Sequence, residues 1–142
     1  DAPDASLWIL RADDPSKGKP MEMTLANGGT NLCNSWPKFS PFMQKYRNGK
    51  LMWVTFSSRR DYGLRLAGEK QAQIWMAAID PAKAELTDPS HAAFWLPFQD
   101  ITTGNHIAQW AETVVRKPCT KDEECPAGEF CDKGMCMPKP VE

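Results

Sequence analysis

The sequence predicts an all-β chain built from a repeated antiparallel unit and followed by a small cysteine-rich tail. Two segments match closely: SLWILRAD (Ser6 to Asp13) and QIWMAAID (Gln73 to Asp80), each an apolar residue, Trp, two more apolar residues and a terminal Asp. Two more match loosely: SWPKFSP (Ser35 to Pro41) and FWLPFQD (Phe94 to Asp100), each bringing Trp and Pro together ahead of an aromatic residue. Four of the five cysteines then fall between Cys119 and Cys136. Such density in a polar, Gly-containing stretch predicts disulfides and an oxidising compartment.

Self-similarity fixes the architecture before any local element does. The order is Trp strand, Trp-Pro segment, Trp strand, Trp-Pro segment. After the first Trp strand, the turn DDPSKG leads into KPMEMTL (Lys19 to Leu25), where Met21, Met23 and Leu25 alternate with Glu22 and Thr24 as on a half-buried strand. The first Trp-Pro segment is followed by FMQKYRNG, which reads as an inserted loop, and by a turn at Asn48-Gly49. LMWVTF (Leu51 to Phe56) is aromatic and β-branched, as strands are. A second loop-like insertion, YGLRLAGEKQA, precedes QIWMAAI. One full unit therefore has four short strands, and four-stranded antiparallel units in series are the blades of a β-propeller. In NHIAQWAETVV (Asn105 to Val115), apolar spacing fits a helix, but the repeat register favours a strand over His106 to Trp110.

The expected fold is a partial β-propeller, one complete four-stranded blade flanked by part-blades, over residues 1–115, with a disulfide-stapled tail over 116–142. A propeller closes with about 4 to 8 blades. Too few are present here, so a second chain from the same precursor is expected to complete the ring, with this chain as the C-terminal product. The competing reading is a small open-sheet protein, whose Trp-rich edges would be an aggregation liability.

WPKFSP, the Asn-Gly turn, LMWVTFSSRRD and QIWMAAID together resemble the repeat of TolB-like bacterial propellers. In that family a Trp-Ser-Pro-Asp-Gly-Lys segment, an apolar strand ending in Ser and Arg-Asp, and an Ile-Tyr-Val-Met-Asp strand recur in each blade. The resemblance spans roughly Ser6 to Trp110 and implies architecture, since those residues shape the blade and act on no substrate. The chain departs from the pattern after Ser40-Pro41, where the longer FMQKYRNGK replaces Asp-Gly-Lys.

A chain of 142 residues has length enough for one ordinary core. Its 17 basic and 18 acidic residues give a net charge of -1 and no overall signature of nucleic-acid binding. No apolar run reaches the roughly 20 residues that span a bilayer. The expected location is periplasmic, cell-surface or secreted, with a protein partner, no nucleic acid and no membrane-inserted segment.

The tail cysteines, Cys119, Cys125, Cys131 and Cys136, are spaced C-x5-C-x5-C-x4-C. Zinc knuckles use C-x2-4-C pairs, so two disulfides fit better, in any of three connectivities. Similarity to other small cysteine-rich tails favours the interlaced pairing, Cys119 with Cys131 and Cys125 with Cys136. Cys33 reads as a buried thiol or the partner of a cysteine on another chain. His91 and His106, even with Asp61 or Asp100, have no metal-site spacing, and CTKDEEC lacks the alternating acids and central Gly of a calcium loop. Nucleophile elbows, phosphate loops and zincin pairs do not occur. No catalytic residue, cofactor or metal is expected. Arg59, Arg60, Tyr62 and Arg65 are the candidate partner contacts, because Arg and Tyr are enriched at interfaces; with Asp61 they also suit bracing of the blade. The expected role is binding or scaffolding. The alternative is an accessory propeller part of a hydrolase or peptidase whose catalytic domain lies on another chain.

Overall fold

The computed structural model describes residues 2–10, 19–64, 71–83, 87–111 and 116–139. Arg65, one of the candidate contacts, lies outside them. The chain divides into two compact units, Asp1–Trp110 and Ala111–Glu142. Both are built on antiparallel strands.

The first unit is organised by a sheet in which β3 (Ser35–Phe39), β5 (Gly49–Ser58), β6 (Gln73–Ile79) and β7 (Phe94–Trp95) lie side by side in that order. Short β4 (Gln44–Tyr46) also pairs with β5. LMWVTF and QIWMAAI thus form neighbouring strands in the centre of the sheet, with Met52 opposite Ile79, Val54 opposite Ala77 and Phe56 opposite Trp75. Directly opposed residues project from the same face. Met52, Val54, Phe56, Trp75, Ala77, Ile79 and Trp95 therefore form one apolar face, with Trp95 opposite Trp75.

That face is covered from the N-terminal side. β1 (Trp8–Ile9) pairs with β2 (Met21–Glu22), and a single helical turn, α1 (Thr24–Asn27), follows. Leu7, Met23 and Ala26 of this layer close the core on Val54, Phe56 and Trp75. Burial of Phe56 and Ile79 contributes about 1.5–3 kcal/mol each.

Several sequence expectations change here. KPMEMTL does not remain extended: the chain coils after Met23, so Leu25 is 56% exposed while Met23 is buried. The coil stops at Gly28, whose φ of 67° provides the left-handed C-cap. FWLPFQD does not open a second blade, because Phe94–Trp95 is the edge strand of the same sheet. Part of the expected insertion, Gln44–Tyr46, is strand β4; its turn is Arg47–Asn48, with Arg47 at φ 52°, and Gly49 already belongs to β5. His106 to Trp110 is neither strand nor helix. It lies across the sheet's end, where Asn105 N–H donates to Ala72 O and the Trp110 indole donates to Lys38 O. Repeat-matched tryptophans also diverge: Trp75 and Trp95 are buried, whereas Trp8 and Trp36 are half exposed.

In the second unit, β8 (Glu129–Asp132) and β9 (Met135–Pro138) form a hairpin. A 3-10 turn over Asp122–Glu124 precedes it. The disulfides are Cys119–Cys131 and Cys125–Cys136. Each closes a loop that constrains the unfolded chain by roughly 3 kcal/mol, and their presence indicates an oxidising, non-cytosolic location. Among the described residues no helix is long and apolar enough to cross a membrane.

Truncating Phe56 to Ala should lower unfolding stability by about 3–5 kcal/mol, as measured by urea denaturation. The exposed Phe42→Ala should change it by less than about 0.5 kcal/mol.

Candidate functional site

Arg60 follows directly from β5 and turns inward. Its Nη2 donates to Ala26 O (3.0 Å), Asn27 O (3.0 Å) and Asn34 Oδ1 (2.7 Å), and its Nε donates to Ser58 Oγ (3.0 Å). The guanidinium lies over the rings of Trp75 and Phe56, 4.8 and 5.2 Å from their centroids. One cation thus satisfies the carbonyls at the end of α1 and stacks on the sheet's core aromatics. Burial lowers its pKa to about 10, which leaves it protonated at neutral pH. Arg60 thus braces α1 against the sheet and is half-buried, which is the bracing role that the sequence also allowed.

Asn27 extends the same network. Its side chain accepts from Leu7 N–H (2.8 Å) and Asn34 Nδ2 (3.2 Å), and donates to Leu7 O and Glu22 Oε1. Gly28 is required twice over, by its positive φ and because a Cβ there would lie 3.0 Å from Arg60 Nη1.

The other end of α1 is capped from 64 residues away. Asp88 Oδ2 accepts from Thr24 Oγ1 (2.6 Å) and Leu25 N–H (2.9 Å), while Ser90 Oγ accepts from Ala26 N–H (3.1 Å). Burial pushes the Asp88 carboxyl up, but hydrogen bonds from Ser90, Thr24 and Leu25 outweigh it and hold the pKa below its ordinary value. None of Asn27, Asn34, Asp88 or Ser90 stood out in the sequence. The one legible signal was the Gly28-Gly29 pair, a helix-stop pattern.

The remaining candidate contacts separate. Arg59 is exposed, with its N–H held by Leu32 O. Tyr62 is exposed at its rim while its ring packs on Trp95 and Trp75, at centroid distances of 5.2 and 5.8 Å. Arg59 and Tyr62 are exposed, and Arg60 is half-buried.

A larger unfilled surface lies on the second face of the sheet. Trp53 stands opposite Ala78, and Met76 opposite Phe94. The Trp53 and Phe94 rings meet edge to face at 6.3 Å, and the Trp53 indole donates to Gln44 Oε1 (2.7 Å). Together with Tyr46, Leu51 and His91 they line an open groove of about 360 Å³. His91, which carries no metal-site spacing in the sequence, flanks this aromatic groove.

Among the described residues, the only His/Cys/Asp/Glu cluster of metal-site dimensions is Cys119, Cys125 and Cys136. All three sulfurs are in disulfides, so they offer no thiolate. Cys33 is a free thiol, 3% exposed. Comparison with family models, curated proteins and solved structures gives no match to this chain.

Arg60→Lys keeps the charge but loses the fork, and should cost about 1.5–3 kcal/mol in urea unfolding. The Asp88 contribution is fully present above the ordinary carboxyl value of 3.8 and is lost as pH falls through the lower folded one. The stability gap between wild type and Asp88→Asn should therefore narrow as pH falls below about 4, as followed by thermal unfolding.

Proposed function

We propose that this chain is a non-catalytic binding or scaffold component whose sheet is one blade of a TolB-like propeller. A second protein chain covers the open half of the sheet's second face. The antiparallel order β3-β5-β6-β7 supports the blade reading, since each strand after the hairpin lies beside its predecessor. The observation that carries the binding role is the groove formed by Tyr46, Trp53 and Phe94, in which aromatic side chains stand on a rigid sheet and are left open by the described residues. Aromatic residues on a fixed scaffold are the usual anchors of protein interfaces. A blade of a propeller packs both faces against its neighbours, and here the buried core of the described residues lies on one face.

The proposed setting is exported, periplasmic, cell-surface or secreted, in keeping with the two disulfides. The partner is a protein that supplies apolar surface to Trp53, Met76 and Phe94. Arg59 and Tyr62 are further contacts for that partner.

Native gel filtration of the protein from its own cells, with intact mass of every component, should find this chain in a complex with a second polypeptide. A monodisperse 15.9 kDa monomer overturns the reading. In the complex, Trp53→Ala or Phe94→Ser should weaken association by at least about tenfold without changing the thermal midpoint by more than a few degrees.

A further inference from the structure

The charge of this chain is unevenly placed. Residues 23–60 contain six Lys or Arg and no Asp or Glu, so all 18 acidic residues lie outside that stretch. The stretch includes β3, β4 and β5, and its exposed members concentrate on one edge of the sheet. β3 and β4 run consecutively along that edge of β5, and residues 40–43 between them bulge outward. Phe42 and Met43 in the bulge are 44% and 51% exposed. Lys38 precedes this bulge on β3, and Lys45, Arg47 and Lys50 follow it on β4, its turn and β5, all exposed.

Two features of this edge call for an anion. Lys45 stands directly opposite Lys50 in the β4-β5 pair, and like charges so placed repel. Lys38, Lys45, Arg47 and Lys50 also have no carboxylate partner among the described residues. The form of the edge then selects the kind of anion. Pro37 and Pro41 remove backbone donors, and the β5 ladder is irregular twice, between Ser35 and Lys38 and again over residues 40–43, which face only Met52 and Trp53, so an added acidic strand could not pair continuously along it. Arg47 covers the Tyr46 ring at 5.1 Å, which removes a stacking platform for a nucleic-acid base. What fits is a surface offering phosphates beside an apolar layer. The bulge is suited to enter that layer, because Ser40 Oγ accepts the Phe42 N–H (3.1 Å) and itself donates to Phe42 O (3.2 Å), so these backbone groups are satisfied without water.

We propose that the β3-β4 edge is a peripheral docking surface for anionic lipid bilayers. Phe42 and Met43 enter the headgroup boundary, and Lys38, Lys45, Arg47 and Lys50 contact lipid phosphates. Apolar side chains flanked by basic ones bind such interfaces through both terms together. The β4 part of this edge borders the groove of Trp53 and Phe94, which Gln44 and Tyr46 also line, but Phe42, Met43 and the four basic residues lie outside that lining, and the lipid contact does not depend on a protein partner there.

Co-sedimentation of the full chain with vesicles of phosphatidylcholine alone, and of phosphatidylcholine mixed with phosphatidylglycerol, tests it. Binding is expected only to the mixed vesicles and should fall steeply with added salt. Lys45→Gln and Lys50→Gln should each lower partitioning about fivefold, and Phe42→Ser with Met43→Ser should lower it further, with unchanged circular dichroism in every variant. Equal partitioning to both vesicle types, or variants that bind like wild type, overturns the proposal. So does displacement from mixed vesicles by oligothymidine or polyglutamate at equal charge concentration, which would assign the edge to a nucleic acid or an acidic protein.

Discussion

The guanidinium of Arg60 holds the first unit together. It leaves the end of β5, crosses the apolar face on the rings of Phe56 and Trp75, and ends on the carbonyls of α1 and the side chain of Asn34. A two-residue ribbon and one helical turn bury too little surface to fold alone. They persist because α1 is clamped at both ends by the sheet, through Arg60 at its carbonyls and Asp88 and Ser90 at its amides. The planar fork makes this possible, because it supplies several donors in one plane while its faces remain free to stack. The positive φ and absent Cβ of Gly28 then become requirements of the same interaction.

With the core closed from one side, the sheet has two unlike faces. The covered face is continuous and dry, built from Val54, Phe56, Trp75, Ala77 and Ile79. On the other, the carboxy-terminal loop of this unit reaches one end, where Ser57 Oγ donates to Asn105 O. Trp53 and Phe94 at the opposite end have no such cover. Rigidity there comes from β5 and β6, so the open aromatic groups are held in place before any partner arrives, which limits the entropy that binding must overcome.

The central strands were legible because their pattern is local. LMWVTF and QIWMAAI are apolar, β-branched or aromatic, and bounded by polar residues, and both are strands where expected. The N-terminal ribbon was legible for the same reason, through the pairing of the first Trp strand with KPMEMTL. What failed were the inferences that depended on tertiary partners. Phe94–Trp95 looked like the start of a new unit because its Trp and Pro echo Ser35 to Pro41, but the free edge of β6 captures it. Arg60 suited either a partner contact or a brace, and nothing local signals that α1 will bring carbonyls to it. Asn27, Asn34 and Asp88 are silent for the same reason: their partners lie up to 64 residues away. Trp8 and Trp75 hold matching positions of the repeated segments, yet Trp75 is buried and Trp8 is half exposed.

The tail has a topological property of its own. Its two crosslinks alternate along the chain, since the Cys119–Cys131 span contains Cys125 but not Cys136. A single backbone cleavage anywhere between Cys119 and Cys136 consequently leaves the two pieces covalently joined. Side-by-side crosslinks would release a piece if cut between the two loops. In a protease-rich extracellular fluid, the tail would be shed intact from an upstream cut or remain attached as a nicked but undivided unit, and only reduction would take it apart.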